Sequence, residues 1–74
     1  MKKYLVKITF KNKTTITFIL KRKNLKDCRI AVLPHKYSED EYYFLELTDD
    51  FGKEQMFIYK LKEVLSVEIK ELGI

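Results

Sequence analysis

Residues 42–59, YYFLELTDDFGKEQMFIY, constrain the chain more than any other stretch. Aromatic and β-branched residues fill both arms, and such residues favour extended backbone. Two aspartates and a glycine stand between the arms, where they interrupt any helix. Gly52 takes a positive φ at no steric cost, and the aspartates can accept bonds from nearby amides. A three-residue loop at Asp50, Phe51 and Gly52 therefore predicts a β-hairpin that pairs Thr48 with Glu54, Leu45 with Phe57 and Tyr43 with Tyr59. One face then carries Tyr43, Leu45, Leu47, Phe57 and Tyr59, and the other Tyr42, Phe44, Met56 and Ile58. With both faces apolar, the hairpin is expected to supply the central strands of a sheet covered on two sides.

Residues 3–11 alternate, with Tyr4, Val6, Ile8 and Phe10 on one side and lysines and Thr9 on the other; Leu5 is the exception. Residues 14–23 alternate likewise, with Ile16, Phe18 and Leu20 in phase. A two-residue loop would place those apolar residues on the lysine face. An odd loop, Lys11-Asn12-Lys13, sets Ile8 opposite Ile16 and Val6 opposite Phe18, so the apolar stripes share a face. That loop is predicted, with Asn12 or Lys13 in the left-handed region.

Residues 24–27 read as a polar break, either a turn or one helical turn. Residues 28–33 read as a short third strand ended by Pro34, which lacks an amide to donate. A polar loop, PHKYSEDE, follows. Beyond the hairpin two readings compete. Leu61, Val64, Leu65 and Leu72 recur at helical spacing, whereas Leu65, Val67 and Ile69 alternate with polar residues and include β-branched ones. The favoured reading is a helical or 3₁₀ turn at residues 60–63 and a closing strand at 64–71. The expected fold class is thus mainly all-β: one domain over residues 1–74, resembling a small, five-stranded, antiparallel SH3-like barrel with one short helical turn before its last strand.

At 74 residues the core is small, and such cores contribute only about 3–5 kcal/mol without staples or partners. The single cysteine, Cys28, excludes an intrachain disulfide and reads as a small buried hydrophobe. No Cys/His set for zinc and no glycine-rich phosphate loop is present, so no cofactor and no metal is expected. Self-association as a homodimer, or docking on a larger partner, remains as a source of further stability. The beginning, MKKYLVKITF, has no apolar run fit for a signal peptide, and no stretch is long enough to span a membrane. A cytoplasmic protein without membrane contact is expected.

Charge is the unusual feature. Residues 1–36 hold eleven Lys or Arg against one acid, a balance of +10, while residues 37–74 hold four lysines against ten acids, −6; the chain total is +4. Such asymmetry points to partners, unless Lys–Glu pairs across neighbouring strands neutralise it. The functional reading is a positive patch of Lys7, Lys11, Lys21, Arg22, Lys23, Lys26 and Arg29, densest at Lys21-Arg22-Lys23. With an exposed Tyr37 or Tyr4 beside them they could hold a phosphate backbone and stack on bases, and Tyr42 could anchor a partner. Only two arginines are present, however, and the acidic half repels nucleic acid. Glu39, Asp40 and Glu41 offer a contact for a basic surface. His35, Ser38 and Asp40 include triad residue types, but on one loop with no rigid frame they do not make a triad. No catalytic residue is assigned and the chain is read as a non-enzyme.

In size, lysine and tyrosine richness, compact β pattern and lack of a catalytic set, the chain resembles small proteins of phages and mobile elements of low-GC bacteria. Some of those inhibit host defence systems, anti-CRISPR proteins among them. The resemblance implies a non-enzymatic inhibitor, in the bacterial or host cytoplasm, that occupies the surface of a larger protein or protein–nucleic-acid complex. A nucleic-acid-binding module and a self-assembling structural protein are the alternatives.

Overall fold

The structure, a computed structural model, describes residues 1–34, 40–48 and 51–73. Strands β1 (Lys2–Phe10) and β2 (Thr15–Arg22) lead into helix α1 (Leu25–Val32). Strands β3 (Tyr42–Thr48) and β4 (Glu54–Lys60) follow, then a 3₁₀ turn, Leu61–Glu63, and strand β5 (Val64–Glu71). The fold is mainly β, as expected, but its strands lie in two antiparallel sheets, β2-β1-β5 and β3-β4, rather than in a closed barrel. The central strand is β1, and the hairpin is a sheet of its own rather than the middle of a larger one.

Both hairpins keep the register that their periodicity predicts. Ile8 faces Ile16 and Val6 faces Phe18 across β1 and β2. Their turn is the odd one: Lys13 holds φ 71°, and the Phe10 amide donates to Thr14 at 2.8 Å. In the second hairpin Tyr43 faces Tyr59, Leu45 faces Phe57 and Thr48 faces Glu54, with Gly52 at φ 76°; Asp49 and Asp50 lie outside the described residues. The 3₁₀ turn and the closing strand also form where expected. The β1–β5 register shifts between Thr9 and Phe10, which leaves Leu65 without a directly opposed partner and exposed.

Residues 28–33 do not form a strand. They belong to α1, and the reason is the cap. Asn24 is extended at φ −154°, and its side chain accepts from the Asp27 amide at 2.9 Å, meeting one of the donors a helix start leaves free. Helical spacing then sends Cys28 and Val32 into the core and turns Ile30 outward. A short apolar run does not by itself distinguish strand from helix.

The core lies between the sheets and under α1. Tyr4, Val6, Ile8, Phe18 and Leu20 come from the first sheet, Cys28 and Val32 from the helix, and Leu45, Leu47 and Tyr59 from the hairpin. Val67 and Ile69 of β5 face Ile8 and Val6 and pack against this set. Aromatic contacts join the sheets: Phe10 meets Tyr59 edge-on at 5.6 Å, and Phe18 meets Phe57 at 5.1 Å. Two phenols fasten the hairpin to the helix end. The Tyr59 hydroxyl donates to the Val32 carbonyl at 2.7 Å, and the Tyr43 hydroxyl donates to the Ala31 carbonyl. The last carbonyls of a helix have no partner inside it, so β3 and β4 complete α1.

Tyr59→Phe removes the hydrogen bond from that buried hydroxyl and leaves the Val32 carbonyl short of a donor. It is expected to cost about 1–3 kcal/mol in urea unfolding, more than the ~1 kcal/mol expected for loss of the cap in Asn24→Ala. Burial, with the neighbouring Tyr43 second, pushes the Tyr59 phenol far above its ordinary range. A raised folded value means that the contribution is complete below the unfolded value of about 10 and is lost as pH climbs past it. Stability of the wild-type protein should therefore fall more steeply above pH ~10 than that of Tyr59→Phe, as read by circular dichroism across an alkaline titration.

Candidate binding surfaces

Where β2 ends and α1 begins, four of the seven basic residues singled out from sequence come together; Lys7 faces Glu68 in mid-strand and Lys11 lies in the β1–β2 turn at the opposite end of β1. Arg22 lies opposite Lys2 and Lys21 opposite Lys3 in the β1–β2 ladder. Lys23 is exposed in the bend that follows, and Lys26 is exposed in the first turn of α1. Arg22 is half-buried and its guanidinium donates to the Lys21 carbonyl at 2.7 Å, which holds the side chain back along its own strand. Arg29 stands one turn further along α1 and lines a shallow groove with Leu25, Val67 and Ile69.

This arrangement is unfavourable locally. Like charges directly opposite in a ladder repel, and a cation in the first turn of a helix opposes the macrodipole. Sequences depart from local preference most often where function asks for it. Elsewhere the charges of the two halves of the chain do mix. Lys7 faces Glu68 across β1 and β5, Lys2 lies 3.6 Å from Glu71, and Lys62 lies 3.0 Å from Asp40. The β2–α1 pole keeps the densest cation run, although Glu71 reaches Lys2 there and Asp27 lies in the first turn of α1.

The acidic candidates are placed differently. Asp40 and Glu41 are exposed just before β3. Asp40 is engaged by Lys62, whose hydrogen bond and charge hold its carboxyl below the usual range and raise the Lys62 ammonium. Tyr37 and Glu39 lie outside the described residues, as do His35 and Ser38. Tyr42 is exposed, but the Lys60 ammonium sits over its ring at 4.8 Å. It is at the end of β3 away from Glu46, Leu47 and Thr48, the residues that approach Lys21 and Arg22. Four to six residues of strand, roughly 13–20 Å, separate it from the basic pole. Tyr4, expected exposed beside the basic patch, is a core residue with no free ring face, and the structure does not bring Tyr42 and the lysines into one site.

The hairpin's outer face is the surface that the sequence reading misplaced. Tyr42, Phe44, Met56 and Ile58 were expected under a second layer, yet they are 59%, 54%, 48% and 56% exposed. The signal was there, since these four were assigned to the face opposite Tyr43 and Tyr59. What pattern did not show is that none of the described residues covers them. Cys28 is fully buried, and burial pushes its thiol up, so it is a core residue rather than a nucleophile. Among the described residues no cluster of metal-ligating side chains occurs, and no helix is long and apolar enough to cross a membrane. No known protein family, curated protein or solved structure matches the chain.

Lys26→Glu separates stability from binding. At low salt the substitution should raise stability by about 0.3–1 kcal/mol by favouring the helix dipole, measured by thermal unfolding, although it removes a cation from the pole.

Proposed function

We propose that the chain is a non-enzymatic binding protein that acts by occupying an acidic surface on a larger protein. The observation that carries this reading is the β2–α1 pole, where Lys2 with Arg22 and Lys3 with Lys21 are held opposite one another and Lys23 and Lys26 follow. The run Lys21 to Lys23, with exposed Lys23 and Lys26 beyond it, presents positive charge to an anionic partner, and complementary charge speeds and orients such docking. In its narrower form the proposal is an inhibitor carried by a phage or mobile element, which blocks a component of host defence by covering it. Its support is the resemblance in size, composition and β pattern.

A nucleic-acid partner is the second reading, favoured by the same cations. It is less well supported, because the exposed aromatic side chains among the described residues, Tyr42, Phe44 and Phe51, all belong to the hairpin. Tyr42, the anchor singled out from sequence, lies at the end of β3 away from Lys21 and Arg22, so it does not pair stacking with phosphate contacts there.

The test is capture of partners from bacterial lysate by tagged wild-type protein and by Lys23→Glu/Lys26→Glu, with a gel shift on duplex and single-stranded DNA at 50 and 200 mM salt. A protein captured by wild type, and retained at least tenfold less by the double variant, is the expected result. Equal capture by both removes the electrostatic reading. A shift at 50 mM salt that vanishes at 200 mM transfers the pole to nucleic acid.

A further inference from the structure

The outer face of the β3–β4 hairpin has an order of its own. Tyr42 faces Lys60, Phe44 faces Ile58, Glu46 faces Met56 and Thr48 faces Glu54, and these eight alternate residues all point away from the core. The middle is apolar. One end carries a cation, Lys60, and the other carries two carboxylates, Glu46 and Glu54. The four large side chains, each about half exposed, present on the order of 400 Å² of apolar area if each offers roughly 150–250 Å² in full. That is a large patch for a chain of 74 residues.

We propose that this face takes a second copy of the same chain. Its charges are self-complementary in one arrangement only. A two-fold axis lying in the interface and perpendicular to the strands reverses the partner's strand direction. It sets Lys60 of each copy over Glu54 of the other, Met56 over Ile58, and Phe44 over the aliphatic stem of Glu46. An axis parallel to the strands would instead lay Lys60 over Tyr42 and Glu54 over Thr48, leaving no cation over a carboxylate and gathering the acidic ends of both copies on one side. With the four flanking polar residues included, two copies bury on the order of 1,200 Å², the lower edge of specific interfaces. A closed, isologous pair is also the commonest assembly for a small chain. The Glu46 and Thr48 end of this face adjoins Lys21 and Arg22, whereas Lys23 and Lys26 are not among its residues.

Sedimentation velocity between 5 and 300 µM tests the assignment, with circular dichroism confirming that each variant is folded. A wild-type dimer is expected in this range. Phe44→Asp should abolish it, and Lys60→Glu and Glu54→Lys should each weaken it tenfold or more. Combining the two reversals should return the affinity to within about threefold of wild type. A wild-type monomer throughout, or a dimer that survives Phe44→Asp, overturns the proposal. Loss on Phe44→Asp without rescue by the paired reversal overturns the antiparallel arrangement.

Discussion

Two phenolic hydroxyls reach from the hairpin to the last carbonyls of α1, and the remainder of the architecture depends on those bonds. The two sheets share no strand ladder, so nothing in the backbone hydrogen bonding of either holds the other. Side chains do that task. Tyr59 is central because it donates to Val32, lies against Phe10 and meets the Tyr43 ring edge-on at 5.6 Å. The helix in turn fills the open side between the sheets with Cys28 and Val32. Hydrophobic burial draws these layers together without direction; the hydroxyls supply the direction.

Much of this was legible in the chain. Alternation with period two determined which residues of β1 and β2 face inward, and the requirement that both stripes share a face selected the odd loop and so the register. The same logic placed Tyr43 opposite Tyr59. Residues 28–33 were not legible by alternation, because Ile30 and Val32 fit a strand as readily as Cys28 and Val32 fit a helix. The deciding information lay in Asn24 and Asp27, three apart, which is a helix-start pattern. The barrel was likewise inferred from strand count, and strand count says nothing about whether edges meet.

The candidate surfaces divide in the same way. The basic residues near the end of β2 were visible as a run, and local chain continuity kept four of them together. Tyr42 could not be positioned relative to them from sequence, since it belongs to a different sheet. The apolar outer face of the hairpin was identified residue by residue, but its exposure depends on what the rest of the chain leaves uncovered. That is a property of tertiary structure rather than of any segment. Charge mixing follows the same rule: Lys7 and Glu68 are sixty-one positions apart in sequence and adjacent across a ladder.

Cys28 has a use that its burial creates. It is the chain's single thiol and is sealed at the point where the helix meets the sheets. A reagent in solution can reach its sulfur only when α1 lifts away or the whole molecule opens. The rate of alkylation therefore counts those openings, and it does so with no label introduced into the protein. The residue that contributes no chemistry becomes an internal clock for the breathing of its own fold.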